Sequence, residues 1–358
     1  MRMRQYFSRV GGLGTATPML PSGPQPTVEE AMGGGALLLE QAGIESARLD
    51  AECLLAHALE MPRWRLAAAP ERRLSPEQFA AYLTMLGRRE RREPLAYLVG
   101  GREFWSLPLA VSPDVLVPRP ETETVVERAL AVCRGTDPLA IEPRAVGLGP
   151  RTIDHRPWTM DDGRPTTANR EPRTSNREPR TENLLIVDLC TGSGAIAIVL
   201  ARELPSATVL ASDISWRALR VARANAAAQG VADRVTFLRG NVWRPVADAL
   251  MGRQADVVTA NPPYIPSRLI PALMPEVRWE PRRALDGGSD GLAIIRDIVA
   301  GAPEHLRPGG VLLLEIGADQ GAAVTRLLEA AGTFQAWRVV ADLAGRDRVV
   351  VARRNNNE

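Results

Sequence analysis

Leu184-Leu185-Ile186-Val187-Asp188-Leu189-Cys190-Thr191-Gly192-Ser193-Gly194 decides the fold. Its first six residues are apolar except for one carboxylate, the composition of a strand buried on both faces of a parallel sheet. A glycine turn follows, and residues 195–203 carry a helical pattern. Glycines at such a turn let backbone come close to a ligand, and the helix that follows offers free N–H groups. Gly192-x-Gly194-x-x-Ala197 also fits the dinucleotide pattern, and a plain tight strand–helix turn would look the same. Asp188 tips the balance. A carboxylate just before the turn would repel a pyrophosphate but suits a cation such as a sulfonium and its amino group.

Working outward, strand-like and helix-like segments alternate. Strands are expected at 207–212, 235–239, 255–260 and 311–316, with two late ones near 337–340 and 348–352. Helices are expected at 215–229, from about Gly291, and at 320–331. This alternation specifies an α/β fold with a mostly parallel, doubly wound, Rossmann-like sheet that binds ligands at the carboxyl ends of its strands.

Two motifs sit at such ends. Asp213 closes the second strand, where a carboxylate can accept hydrogen bonds from both hydroxyls of a ribose; a helix cap with Ser215 would also account for it. NAD and S-adenosylmethionine both carry that ribose. Asn261-Pro262-Pro263-Tyr264 follows the fourth strand and does discriminate. A conjugated NH₂ group is a poor nucleophile, because its lone pair is tied into the π system. A site that methylates it needs acceptors for both N–H bonds and a flat wall. Asn261 offers a side-chain oxygen, Pro262 a backbone carbonyl and Tyr264 an aromatic face, on a loop stiffened by Pro262 and Pro263.

Upstream, residues 27–99 read as a small helical bundle, opened by a Thr27–Glu30 capping box. The mixed-sign run Gly87-Arg88-Arg89-Glu90-Arg91-Arg92-Glu93 is expected to be a solvated helix face. Residues 100–134 read as a hairpin followed by a linker helix through about Cys133. Residues 1–26, rich in Gly, Pro, Thr and Ser, are expected to be a disordered extension. In 135–183, Asn169-Arg170-Glu171-Pro172-Arg173-Thr174 recurs as Asn176-Arg177-Glu178-Pro179-Arg180-Thr181, with hardly an aliphatic residue. Such a segment cannot offset its ordering entropy and is expected to be a disordered insertion.

Composition narrows the chemistry. At 358 residues the chain has room for about two domains. All 44 basic residues are arginine, which removes Schiff-base chemistry, a lysine base and the P-loop lysine. The net charge of +2 lacks the basic excess of a polyanion binder. Cys53, Cys133 and Cys190 form no CxxC pair, and His57, His155 and His305 show no HxxxH spacing, so neither a disulfide framework nor a metal site is expected. The cysteine usage fits a reducing compartment. No apolar run reaches the ~18 residues of a membrane helix, and the first 26 residues lack the compact apolar core of a secretory signal.

At this point the sequence resembles the bacterial PrmC/HemK proteins, the peptide chain release factor glutamine N(5)-methyltransferases. The resemblance runs from about Thr27 to Arg353, apart from the insertion. It is carried by Ala47-Arg48-Leu49-Asp50-Ala51-Glu52, Arg92-Glu93-Pro94-Leu95-Ala96-Tyr97, Phe104-Trp105, Val117-Pro118-Arg119-Pro120-Glu121-Thr122-Glu123, the glycine turn, Asn261–Tyr264, and Glu280-Pro281 with Ala284-Leu285. It implies a five-helix N-terminal domain joined to a class I S-adenosylmethionine-dependent methyltransferase domain, here 184–354. It also implies S-adenosylmethionine as methyl donor, and the glutamine of the Gly-Gly-Gln motif in class I release factors as acceptor.

Carried over residue by residue, Asp188 and Cys190, Thr191, Gly192, Ser193 and Gly194 would surround the methionine end of the cofactor. Asp213 would hold its ribose, and Asn241 and Val242 its adenine edge. Asn261, Pro262, Pro263 and Tyr264 would hold the target amide. Phe104 would help wall the methyl-transfer pocket, and Arg119 and Glu121 would organise its entrance. Cys190 stands where many members have Gly, and Asn241 where an acidic residue is usual. The resemblance implies a monomer with a protein substrate; a cytoplasmic location without direct contact with nucleic acid or membrane is expected from the cysteine usage, the near-neutral charge and the lack of a long apolar run. Rival readings are glutamine methylation of a ribosomal protein, adenine-N(6) DNA methylation, which uses the same Asn-Pro-Pro-Tyr logic, a non-catalytic release-factor-binding module, and a nicotinamide dehydrogenase, which leaves Asn261–Tyr264 unexplained.

Overall fold

The computed structural model describes residues 25–141 and 183–356. The N-terminal part is a bundle of five helices: α1 (Val28–Gln41), α2 (Ala47–Ala58), α3 (Trp64–Ala68), α4 (Pro76–Glu90) and α5 (Leu95–Val99). The capping box opens α1 as expected: Glu30 N–H donates to Thr27 Oγ1 at 3.2 Å and Thr27 N–H to Glu30 Oε2 at 2.9 Å. A second box, Ser75 with Gln78, opens α4. The bundle has its own core around Leu39, Leu54, Leu55, Phe79, Tyr82 and Leu86. Gly35 lies inside α1 because a Cβ there would fall 2.0 Å from the Tyr82 hydroxyl.

The charged run at the end of α4 is not a solvated face. Arg89 and Glu93 are buried. Arg89 Nε donates to Asp50 Oδ2 at 2.7 Å, and Arg88 chelates Glu93. Arg89 Nη1 and Arg92 Nη1 both reach Glu276 Oε1 at 3.0 Å, on a loop of the second domain. The sequence pattern misleads here because the partners are far along the chain, and a charge paired across an interface can be buried where a free one cannot.

A hairpin of β1 (Gly101–Phe104) and β2 (Leu107–Ala110) leads through a 3-10 turn at Pro120–Thr122 into α6 (Glu123–Cys133). The insertion begins later than its composition suggests. Leu139 is buried in the core, and Asp137 is buried and paired with Arg338. Residues 1–24 and 142–182, with both copies of the tandem repeat, lie outside the described residues. Residues 25–26 join the bundle, since Leu74 N–H donates to the Pro26 carbonyl at 3.0 Å.

The second domain contains β3 (Leu185–Leu189), α7 (Ala195–Glu203), β4 (Thr208–Asp213), α8 (Trp216–Ala228), β5 (Val235–Arg239), α9 (Arg244–Leu250), β6 (Ala255–Ala260), α10 (Ala293–His305), β7 (Leu306–Glu315), α11 (Gly321–Ala331), β8 (Phe334–Ala341) and β9 (Asp347–Arg354). The sheet order is β5-β4-β3-β6-β7-β9-β8. The first five strands in that order are parallel, and β9 and β8 add an antiparallel edge. All five residues of β3 and all six of β6 are buried, as strands covered on both faces must be. Helices α6, α7 and α8 pack on one face around Val126, Ile198 and Leu200, while α9, α10 and α11 pack on the other around Val246, Ile298 and Leu328. The chain starts at the centre of the sheet, builds outward through β4 and β5, then returns to β6 on the other side of β3. That reversal opens a crevice at the carboxyl ends of the strands. Among the described residues no helix is long and apolar enough to cross a membrane.

Candidate active site

A cavity of about 400 Å³ fills that crevice. Residues at the ends of or just past β3 (Cys190–Ser193), β4 (Asp213–Ser215), β5 (Gly240–Val242) and β6 (Asn261, Pro263) line it. The facing wall comes from Asp114–Leu116, Pro118 and Thr122 of the linker and from Pro281, Arg283 and Ala284 of the loop after β6.

The turn after β3 is shaped as a cradle. Cys190, Gly192 and Gly194 have φ of 58°, 57° and 84°, which turn the backbone back on itself. A Cβ on Gly194 would meet Ile198 Cδ1 at 2.9 Å, so glycine there allows α7 to pack close. Ala195 and Ile196, the first residues of α7, border the cavity with the unpaired N–H groups of a helix start. Burial pushes the Cys190 thiol well above its ordinary pKa, so it is no nucleophile.

Asp188 is placed differently from the expectation. It is fully buried and does not line the cavity. Thr191 Oγ1 donates to its Oδ2 at 2.6 Å and Thr259 Oγ1 to its Oδ1 at 2.7 Å. Burial pushes it up to about 6, against the pull of those two hydroxyls. Its contribution is to brace the cradle from beneath, through Thr191.

Asp213 is both a turn organiser and a cavity acceptor. Gly192 N–H donates to its Oδ2 at 2.9 Å and Ser215 N–H to its Oδ1 at 2.8 Å, while the Ser215 side chain caps α8. Burial raises its pKa, opposed by those two N–H groups and by the Arg283 guanidinium. The carboxylate oxygens keep lone pairs for a ligand. Asn241 and Val242 line the far end, where Val242 takes a positive φ of 43°.

Asn261 sits at the inner wall. Its Nδ2 donates to Thr122 Oγ1 at 3.1 Å, so its carbonyl oxygen is the end left for the cavity. Pro263 lines the cavity beside it; Pro262 and Tyr264 do not. The Tyr264 ring packs against the core beneath α10 and α11, and its hydroxyl donates to Glu315 Oε1 at 3.3 Å. Burial and the Glu315 charge hold that phenol far above its ordinary pKa. Gln320 Nε2 anchors the loop by donating to the Tyr264 carbonyl at 2.9 Å.

Phe104 is not a pocket wall. It is 1% exposed in the core on the α6 side of the sheet, because β1 turns it inward against that face. Arg119 and Glu121 do not line the cavity. Arg119 pairs with buried Glu280, whose other oxygen accepts the Val117 N–H at 3.2 Å, fastening the linker to the loop after β6. Thr122, Arg283 and Glu315 went unassigned in the sequence. The one local signal for Glu315 is an acid directly after Val311-Leu312-Leu313-Leu314, at the carboxyl end of a buried strand. Among the described residues no cluster of His, Cys, Asp and Glu could hold a metal ion.

A parallel sheet with a glycine cradle after its first strand, an acid closing its second and Asn-Pro-Pro-Tyr after its fourth defines a class I methyltransferase. Residues 30–100 match the family model described as the PrmC N-terminal domain, and 177–270 the methyltransferase small domain. The release factor glutamine methyltransferase of Moorella thermoacetica is 41% identical over 92% of this chain and 99% of its own length. That of Cereibacter sphaeroides is 42% identical over 88% of this chain and 94% of its own. The chain belongs to the release factor glutamine methyltransferase family.

Proposed function

We propose that this protein methylates the side-chain amide nitrogen of the glutamine in the Gly-Gly-Gln motif of class I peptide chain release factors. The observation that carries the reading is Asn261, which gives its NH₂ to Thr122 and keeps its carbonyl for the cavity. A carboxamide substrate needs such an acceptor, because its N–H bonds must be held while its weakly nucleophilic nitrogen is aimed.

The cavity suits S-adenosylmethionine. The open cradle at 190–194 fits the methionine end, the Asp213 carboxylate the ribose, and Asn241 with Val242 the adenine edge. When bound, S-adenosylmethionine supplies a methyl group on a sulfonium, open to in-line displacement. The chain's own part is positioning. Asn261 Oδ1 accepts from the substrate amide, Pro263 stiffens the loop, and Tyr264 secures it through Glu315. No side-chain covalent nucleophile takes part, consistent with the raised Cys190 thiol. The helical bundle supports the release factor over DNA as substrate, as does the near-neutral charge. The protein is proposed to act on the release factor as a cytoplasmic monomer.

Mass spectrometry of a class I release factor incubated with the protein and S-adenosylmethionine tests this. One added methyl on the Gly-Gly-Gln glutamine is expected; methylation of a ribosomal protein or of adenine instead would overturn it. Asp213→Asn is expected to raise the Kd for S-adenosylmethionine roughly 10- to 100-fold, read by calorimetry, with kcat at saturation little changed. The amide cannot accept from Gly192 and Ser215 and also serve a ribose, and a hydrogen bond to a charged group is worth about 1.5–3 kcal/mol.

A further inference from the structure

Asn225 lies on the buried face of α8 and is 2% exposed. Ala218, Ala222 and Ala226 share that face, and residues this small let the helix come close to its neighbours. A Cβ placed on Gly194 would fall 3.1 Å from Ala222 Cβ, so α8 presses on the cradle there. Asn225, one turn on, is the polar residue of this otherwise apolar face. Both ends of its amide are engaged. Oδ1 accepts from the Ala110 N–H at 2.8 Å. Nδ2 donates one proton to the Ala110 carbonyl at 3.0 Å and the other to the Ser193 carbonyl at 2.9 Å. The Ala110 N–H needs an oxygen opposite it, so the amide has one orientation and both its protons are used. Ala110 ends β2, and Ser193 belongs to the glycine turn that lines the cavity. One buried side chain therefore joins the hairpin to the cradle.

The start of the turn is fastened elsewhere. Thr191 N–H donates to the Ser212 carbonyl at 3.0 Å and Gly192 N–H to Asp213 Oδ2 at 2.9 Å, both at the end of β4. Gly194 N–H closes the turn on the Thr191 carbonyl at 2.8 Å. The far end is tied to α8 and β2 through Asn225. Between these anchors stand Gly192 and Gly194, both at positive φ and with the most backbone freedom to lose. Held at one end only, such a turn would sample other peptide orientations, and each would aim its polar groups differently at a ligand.

We propose that Asn225 is a positioning residue for the cofactor: by holding the Ser193 carbonyl against β2, it sets the 191–194 turn in its binding shape before the ligand arrives. This rests on the reading of the cavity as the S-adenosylmethionine site. Asn225 does not line the cavity, so it acts through the backbone of Ser193 and Gly194. Without its amide the competent turn becomes one conformation among several, and the apparent affinity falls to the fraction still competent.

Calorimetry of S-adenosylmethionine binding to the full chain tests this, with Asn225→Ala, Asn225→Asp and Gln229→Ala beside the native protein. Gln229 is the control. It lies one turn further along the same side, and its Nε2 donates to the Pro108 carbonyl at 2.8 Å, so it holds the same strand without touching the cradle. Asn225→Asp preserves size and the acceptor for the Ala110 N–H, but when ionised has no proton for either carbonyl. It keeps the proposal testable should the alanine variant fail to fold. Both Asn225 variants are expected to raise Kd about 10-fold or more, as for a turn competent about a tenth of the time. The same factor should appear in the KM for S-adenosylmethionine and not in kcat. Without cofactor, the Gly192 and Gly194 amides of these variants should exchange hydrogen about 10-fold faster or more, and saturating S-adenosylmethionine should restore native exchange. Gln229→Ala should match the native protein in Kd and at both amides. A folded Asn225 variant with the native Kd overturns the proposal, as does unaltered exchange at Gly192 and Gly194. So does a Gln229→Ala protein whose Kd rises as far, since the effect would then come from the hairpin alone. A native protein that binds no S-adenosylmethionine overturns the reading of the cavity itself.

Discussion

Asn261→Ala lowers kcat for release-factor methylation by at least about 10²-fold, in the same mass-spectrometric assay that detects the native product. The substitution removes the only side chain of the Asn-Pro-Pro-Tyr loop that both lines the cavity and carries a hydrogen-bonding group. A conjugated amide nitrogen reacts only when its lone pair is aimed along the displacement path, and misplacement by about 1 Å costs roughly 10² in rate. Asn261→Asp makes the sharper comparison. It keeps an acceptor for the substrate but loses the Nδ2 bond to Thr122 Oγ1, now 3.1 Å, and carries a negative charge into the site. It is expected to be nearly as inactive as alanine. Recovery of most of the native rate in Asn261→Asp would show that the Nδ2 bond is dispensable. Asp213→Asn separates the two halves of the site, because its defect is in cofactor affinity and disappears at saturation.

The legible parts of this protein were those set by short-range constraints. A buried strand, a glycine turn and a helix start must occur in sequence order, so Cys190–Gly194 announced a cradle. Asp213 and Asn261 each end a strand whose apolar run is plain in the sequence. What stayed hidden depends on pairs distant in the chain. Thr122 lies 139 positions from Asn261, Arg119 lies 161 from Glu280, and Arg89 lies 187 from Glu276. No periodicity records such meetings. For the same reason Arg89 and Glu93 read as solvated charges, although each is buried beside a partner. Asp188 stood in the right strand with the wrong outlook. Its position in the motif fixed its neighbourhood, but the hydroxyls of Thr191 and Thr259 occupy both its oxygens. Phe104 and Tyr264 show the same limit for aromatics, whose burial is decided by the face onto which a turn directs them.

Glu315→Gln stabilises the protein by up to about 3 kcal/mol at alkaline pH. Burial raises the folded-state pKa of Glu315 from 4.5 to about 7, and each unit is worth about 1.4 kcal/mol. The sign follows from proton counting. Between those two values the folded state holds a proton that the unfolded state has released, so stability falls as pH rises through the window. Below it Glu315 costs nothing; above it the full cost of a buried charge is present. Glutamine carries no charge at any pH, and it keeps an oxygen for the Tyr264 hydroxyl. Arg348 remains paired with Asp342 through Nε and Nη2, both at 3.2 Å, so it is not orphaned. Guanidinium unfolding midpoints should therefore coincide for native and variant proteins near about pH 4.5 and separate in favour of the variant near about pH 8. A variant no more stable than the native chain at the higher pH would mean that Arg348 and the Tyr264 hydroxyl fully solvate the charge, and that Glu315 is ionised throughout.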